Sequence, residues 1–578
     1  MTLNLQFLSG FLQPPLSHFV AIFAALLLTY ARVLGKDFFW VIDDEGVFKY
    51  SDQFIPEKKD AAGKVIEPEK EVRTYSCCEG DKKHEVKMLA FNPHAGFPGA
   101  IIRFLRINIG KRFGVIGTNS KGHEIYGMKQ SPRRHHIFSM IVHAANLVLG
   151  YFFLSPLIGQ DLAFAACILY SVHPLTTQTV GWISGVMYAL SMLFALATLN
   201  CSLYLHSYYW IIPLTVIFSF ISSVTLFLGC FTFIILLFLG FKWAAFTSAL
   251  VGLFILLWKG KETKDYRAKA FKEQAMDKTL YLNWRKPIVM IKTLFYYLPM
   301  MFMPIRMGLY HIWGYFYEEP IERADRMFWA GIAAIGLIVL GYTQGSLAIQ
   351  LGLTWYLSYF FIFSNFITAQ QFVADRYGTV PAFGMCIVIA SLLYGTPLFW
   401  ILLGLYAMRT FLHLPTFKND LDFYLSNFLN FRRSEVALGN LGASYINQGM
   451  AGSAVDTWLL STKINPYYDV AWYNLYSIFK ANGKMLDAKA YLENCLRAKV
   501  VHFKDRWEKE YEDLKKQMEP SECQKLFDLA RQSFDAKDFA KEEELLNQII
   551  SLPSNLAITQ IVEGAKHRLS EIKIQVPK

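Results

Sequence analysis

Eleven runs of apolar residues, each close to the roughly 20 that cross a bilayer as a helix, dictate what this chain can fold into. They fall at 16–34, 136–158, 160–178, 179–205, 210–228 and 235–258, then at 288–317, 327–344, 346–366, 378–394 and 396–411. With 54% hydrophobic and 18% charged residues among 578, an ordinary soluble protein of this length is excluded. The expected fold is all-α: a polytopic membrane domain with about eleven transmembrane helices over 1–415. Leu16 to Leu34 has no small-residue cleavage site behind it and is expected to stay as an anchor.

Charge sets the expected topology. Residues 259–286 carry nine Lys or Arg against four acids, a short basic loop that belongs on the inside. Six spans precede it and five follow, so the large first loop, 36–134, and the C-terminal region are both expected outside. That loop carries 18 basic and 14 acidic residues, and loops this long cross regardless of charge. Within it, Phe97 to Phe113 reads as a basic amphipathic helix lying on the membrane. The net charge of +11 is scattered among acids, which points to anionic membrane lipids or a phosphate-bearing lipid and away from nucleic acid.

Beyond residue 415 the pattern changes to a repeat. Asn440-Leu441, Tyr445, Gly449 and Ala454 recur 34 residues later as Asn474-Leu475, Phe479, Gly483 and Ala488, with Pro466 between the units. This period and these residue types resemble tetratricopeptide repeats, which stack helix pairs into an α-solenoid and bind protein partners. Residues 416–578 are expected to form such a domain, with a degenerate third unit from Ser521 to Pro553.

Three polar clusters share the expected outer side. Asp43-Asp44-Glu45 follows the first span, and carboxylates beside a bilayer are costly unless they are paired or perform a task. His173-Pro174 ends the third run and leads into Thr176, Thr177, Gln178 and Trp182. Asp375-Arg376-Tyr377 follows the ninth. A base, an imidazole and a guanidinium at one bilayer face suit a reaction on an anionic, membrane-held substrate. Taken singly, each cluster is equally a helix cap, a helix stop or an interfacial ion pair. His135, His136 and His143 lack a neighbouring acid or thiol at ligand spacing, so no metal site is read from them. No phosphate-binding glycine loop or nucleophile elbow occurs, and the eight cysteines show no disulfide or zinc spacing.

The paired acids of the first loop, the segment ACILYSVHPLTTQTVGWISGVMYALSMLFALA (165–197), and the late Asp-Arg-Tyr followed by Pro381 resemble a known family. It is that of the transmembrane and tetratricopeptide-repeat O-mannosyltransferases and their bacterial relatives, membrane glycosyltransferases of the GT-C fold. The resemblance runs from the first span through the repeats. It implies transfer of a sugar from a polyprenyl-phosphate carrier to an acceptor, commonly a Ser or Thr hydroxyl, on the periplasmic or lumenal side. It places catalysis on Asp43 and Asp44, with Glu45 a bystander, and substrate binding on His173, Gln178, Arg376 and Tyr377. No resident cofactor is implied, and a divalent metal is compatible with the chemistry.

Departures from the family pattern open an alternative. Gln178 stands where relatives commonly carry an acid, and Val186 and Tyr188 stand where an Arg and an Asp are expected. These changes fit altered donor choice or a catalytically degenerate scaffold that anchors a repeat domain in a membrane assembly. The short repeat array favours a bacterial inner membrane over the endoplasmic reticulum.

Overall fold

Proline and glycine decide where the apolar runs break into helices. The computed structural model describes residues 13–35, 108–119, 122–205, 207–226, 228–273, 286–308, 311, 324–365, 373–432, 434–497, 504–518, 522–536, 538–551 and 559–575, plus short strands at 53–55, 58–59, 65–67 and 70–72. The chain packs as two compact units, Met1–Tyr468 and Asp469–Lys578.

The first unit is mostly helical. In order it contains α1 (Leu16–Tyr30), α2 (Pro132–Ile158), α3 (Gln160–Ser171), α4 (Thr177–Gly181), α5 (Val186–Tyr204), α6 (Tyr208–Leu226), α7 (Gly229–Phe238) and α8 (Lys242–Glu273). It continues with α9 (Lys286–Phe302), α10 (Arg326–Gln344), α11 (Leu347–Phe363), α12 (Asp375–Leu393), α13 (Pro397–His413), α14 (Asp420–Asn430), α15 (Glu435–Asn447) and α16 (Ala451–Ile464). Six helical segments among the described residues are long and apolar enough to cross a membrane: Leu16–Leu34, Pro132–Ile158, Ile183–Tyr204, Arg326–Gln344, Asp375–Leu393 and Pro397–Phe417.

Three apolar runs divide differently from the sequence reading. The 160–178 run stops at Ser171, because His173-Pro174 opens a 3-10 turn at Pro174–Thr176 before α4. The 235–258 run starts within α7 and breaks at Gly240, whose φ of +82° ends that helix in the left-handed region. The 288–317 run ends its helix at Phe302, just before Pro304. In place of a helix through Phe113 there is a strand from Lys111 to Thr118, paired antiparallel with Glu124–Gln130. Glycines at 110, 114 and 117 with Val115, Ile116 and Thr118 favour strand over helix there. Residues 97–107 of the expected amphipathic helix lie outside the described residues.

Packing is close where α11 crosses α12. A Cβ at Gly352 would lie 2.6 Å from the Gly384 carbonyl oxygen, and one at Gly384 would lie 2.5 Å from that of Gly352. The two backbones touch, as small residues allow between membrane helices. Gly384→Val is therefore expected to destabilise the fold by about 1–3 kcal/mol, read as a fall in the thermal midpoint in detergent. Gly336→Ala, whose Cβ meets nothing within 4 Å, should leave the midpoint unchanged.

Polar pairs fasten other helices. Ser191 on α5 and Ser222 on α6 each donate to the other's backbone carbonyl at 2.8 Å. Asp325 caps α10 by accepting from Phe328 N–H, and takes the Lys292 ammonium from α9 at 2.6 Å. Burial works against the Asp325 carboxylate, but the Lys292 and backbone hydrogen bonds outweigh it and hold its pKa below the usual value. Its contribution is therefore present above the unfolded value of about 4 and is lost as pH falls through the lower folded value. In melts from pH 6 down to pH 3, Asp325→Asn should remove part of the acid destabilisation seen in the wild type.

The second unit comprises α17 (Asp469–Ala481), α18 (Met485–Leu496), α19 (Lys504–Met518), α20 (Glu522–Asp535), α21 (Phe539–Ser551) and α22 (Thr559–Gln575). The 34-residue periodicity has a local counterpart in structure. Gly449 and Gly483 both occupy left-handed turns, at φ +75° and +72°, one closing α15 and the other α17. Leu441 and Leu475, and Ala454 and Ala488, are buried pair by pair. The unit boundary at 468 falls well after residue 415, because Phe423 and Tyr424 of α14 and Leu441 of α15 belong to the main core of the first unit.

Candidate functional site

A buried site forms where three stretches distant in sequence meet: the broken segment 172–188, residues 304–308 with His311, and the start of α12. Asp375 is the first residue of α12, where a carboxylate complements the positive end of the helix dipole. It is fully buried, and both of its oxygens are used. Oδ1 lies 2.7 Å from His311 Nε2, and Oδ2 accepts from Gly308 N–H at 2.6 Å. His311 Nδ1 lies 3.1 Å from the Tyr296 hydroxyl, and the ring packs on Phe431 at 4.3 Å. Gly308 must be small, since a Cβ there would lie 2.4 Å from Asn427 Oδ1.

Gln178 joins the three stretches through its amide. Its Nε2 donates to Asp375 Oδ2 at 3.3 Å and to the Gly308 carbonyl at 3.2 Å. Its Oε1 accepts from Arg376 N–H at 3.1 Å. The amide thus supplies a donor and an acceptor at once. A carboxylate at 178 would instead set like charges against Asp375, so glutamine here matches its buried acid neighbour.

Arg376 is 8% exposed and sits among aromatic rings. Its Nε donates to the Tyr188 hydroxyl at 3.2 Å, and its guanidinium carbon lies 4.8 Å from the Tyr377 ring centre and 5.6 Å from that of Trp182. Tyr377 is itself held flat against Phe363, with ring centres 4.7 Å apart. The position read as an expected acid, 188, therefore supplies a neutral hydroxyl to the cation. Val186 lies in an apolar cluster with Val142, Ala189 and Leu190.

No protein-family model and no curated protein matches the chain. What the site can do must be argued from its own geometry.

The structure places the expected residues unequally. Gln178, Arg376 and Tyr377 come together at the start of α12, with Tyr377 against the guanidinium and Gln178 on the Arg376 backbone N–H. His173 lies in the same neighbourhood, but both ring nitrogens are occupied: Nδ1 accepts from Leu175 N–H at 3.2 Å and Nε2 donates to the Met301 carbonyl at 3.0 Å. Its ring also meets Tyr406 edge-on at 4.7 Å. In this arrangement the imidazole ties the 174–176 turn to the end of α9. Asp43, Asp44 and Glu45 lie outside the described residues.

Three participants escaped the sequence reading. His311 and Gly308 fall inside the apolar 288–317 run, and Tyr188 reads in the sequence only as a departure. Pro304 and Arg306 interrupt that run and are the signal that residues 304–308 leave the helix.

Proposed function

We propose that the protein transfers a sugar from a polyprenyl-phosphate carrier to an acceptor hydroxyl, a protein Ser or Thr, at the outer face of a membrane. The observation that carries the reading is the buried Arg376, aimed by Tyr188, Tyr377 and Trp182 and anchored through Gln178 to Asp375. A fixed cation held out of bulk water suits a lipid phosphate that gains charge as its bond to the sugar breaks. The acceptor oxygen attacks the anomeric carbon, the carbon–phosphate-oxygen bond breaks, and the electron pair leaves with the polyprenyl phosphate. Asp43 or Asp44 takes the acceptor proton.

Six membrane-length segments support a multi-crossing membrane domain, and the shorter apolar helices Tyr208–Ser223, Lys242–Trp258, Pro287–Phe302 and Leu347–Phe363 are candidates for further crossings toward the expected eleven. The matched burial of Leu441 with Leu475 and Ala454 with Ala488 supports tetratricopeptide-type pairs that recruit acceptor or partner protein. A bacterial inner membrane is the favoured setting, with the repeats on the periplasmic side. The scaffold reading draws on Val186 in its apolar cluster and on the fully engaged His173.

Incubation of the purified protein with radiolabelled polyprenyl-phosphate sugars and a Ser/Thr-rich acceptor decides between the two. Transfer is expected, with Asp43→Asn or Asp44→Asn slowing it on the order of 10²-fold. A well-folded wild type that transfers nothing yet co-purifies with other membrane proteins would establish the scaffold.

A further inference from the structure

The hairpin that precedes α2 presents a sidedness that sugar transfer does not use. Its strands, Lys111–Thr118 and Glu124–Gln130, pair Phe113 with Met128 and Val115 with Tyr126, which puts four apolar side chains on one face. Arg112 pairs with Lys129 and Gly114 with Gly127 on the other. Phe113 and Tyr126 stack with ring centres 5.9 Å apart, yet they remain 66% and 46% exposed. Two large exposed aromatics side by side are expensive in water.

The hairpin is fixed to a membrane-length helix. Ser131 N–H donates to the Gly110 carbonyl at 3.0 Å, and Gln130 Oε1 lies 3.0 Å from His135 Nε2. A Cβ at Gly110 would fall 2.1 Å from His135 Nε2, so the base of the hairpin is clamped on the first turn of α2. Only Ser131 separates the second strand from Pro132, so the aromatic pair is held near the N-terminal end of a membrane-length helix. Arg112, on the opposite face of the same strand, and Arg133, in the first turn of α2, are both exposed. Glu124, the acid at the far end, is engaged by the Tyr126 hydroxyl, and Lys129 donates to the Val115 carbonyl.

We propose that this hairpin is a docking surface for anionic phospholipid, with Phe113 and Tyr126 seated among headgroups and Arg112 and Arg133 drawing phosphate. Aromatic rings settle at the headgroup level, and cations near an anionic leaflet add attraction that neutral lipid does not. The surface lies apart from Arg376 and does not depend on the proposed transfer reaction.

The test places the photoreactive residue p-benzoylphenylalanine at 113 in the full chain, reconstituted in bilayers of phosphatidylcholine with phosphatidylglycerol. Lipid adducts at 113 are expected, enriched for phosphatidylglycerol. Arg112→Gln with Arg133→Gln should cut the enrichment by roughly fivefold per cation, about 25-fold for the pair. The same probe at Phe152, which is 40% exposed on α2, reports folding and insertion in both backgrounds. The proposal is overturned if position 152 captures lipid while 113 captures none. It is equally overturned by capture of protein at 113, or by enrichment that survives the double substitution.

Discussion

Asp375→Ala is expected to destabilise the first unit by about 3 kcal/mol or more, since each buried donor left without its acceptor costs about 1–3 kcal/mol. The carboxylate is fully enclosed and meets His311 Nε2, Gly308 N–H and the Gln178 amide. Its removal leaves three donors facing a void with no water to replace it. Asp375→Asn should cost less, because an amide oxygen still accepts from Gly308 while its NH2 group faces the donors of His311 or Gln178. A double-mutant cycle with His311→Ala separates the pair from the rest: coupling above about 1 kcal/mol is expected for groups in one network. Additive losses in thermal or denaturant unfolding would show that His311 and Asp375 act independently.

Much of this architecture is legible in the sequence because it rests on hydrophobic length. The helices 326–344, 347–363, 375–393 and 397–413 lie close to their apolar runs, since turn residues such as Gly345-Ser346 and Gly395-Thr396 punctuate them. The repeat also left a local trace, because a left-handed turn demands glycine at 449 and again at 483. What composition conceals is the backbone that leaves a helix inside an apolar run. Residues 172–185 and 304–308 are apolar enough to extend their spans, yet they leave the helix, and among them the Val172 and Gly308 carbonyls and the Leu175 and Gly308 N–H groups are satisfied by Thr410, Gln178, His173 and Asp375. Irregular backbone at membrane depth persists only when protein groups satisfy it, and most of those partners are distant in sequence.

Two of the three departures, Gln178 and Tyr188, take part in the buried site. Gln178 bridges an acid and an amide N–H, which a glutamate could not do beside Asp375 without like-charge repulsion. Gln178→Glu is accordingly a disruption in this chain, whatever its value elsewhere. Tyr188 offers Arg376 a neutral acceptor, so this contact orients the guanidinium without neutralising it. Both residues are consistent with a site retuned around its cation.

Arg376→Ala should lower sugar transfer about 10²- to 10³-fold, the loss typical of removing one preorganised group that stabilises developing negative charge. Arg376→Lys should recover little of it. A lysine cannot keep the Nε donation to Tyr188 while laying a flat cation against Tyr377, and its ammonium would carry a stronger hydration shell into a buried position. Tyr188→Phe isolates the aiming from the charge: the guanidinium remains but loses its 3.2 Å tether, and an intermediate loss is expected. Transfer measured from a labelled lipid carrier, alongside thermal midpoints for all three variants, makes the comparison. Equal activity in Arg376→Lys and wild type would show that charge alone suffices and that the aromatic enclosure serves packing. Unchanged transfer in Arg376→Ala would remove the guanidinium from the reaction and with it the principal support for a lipid-phosphate donor.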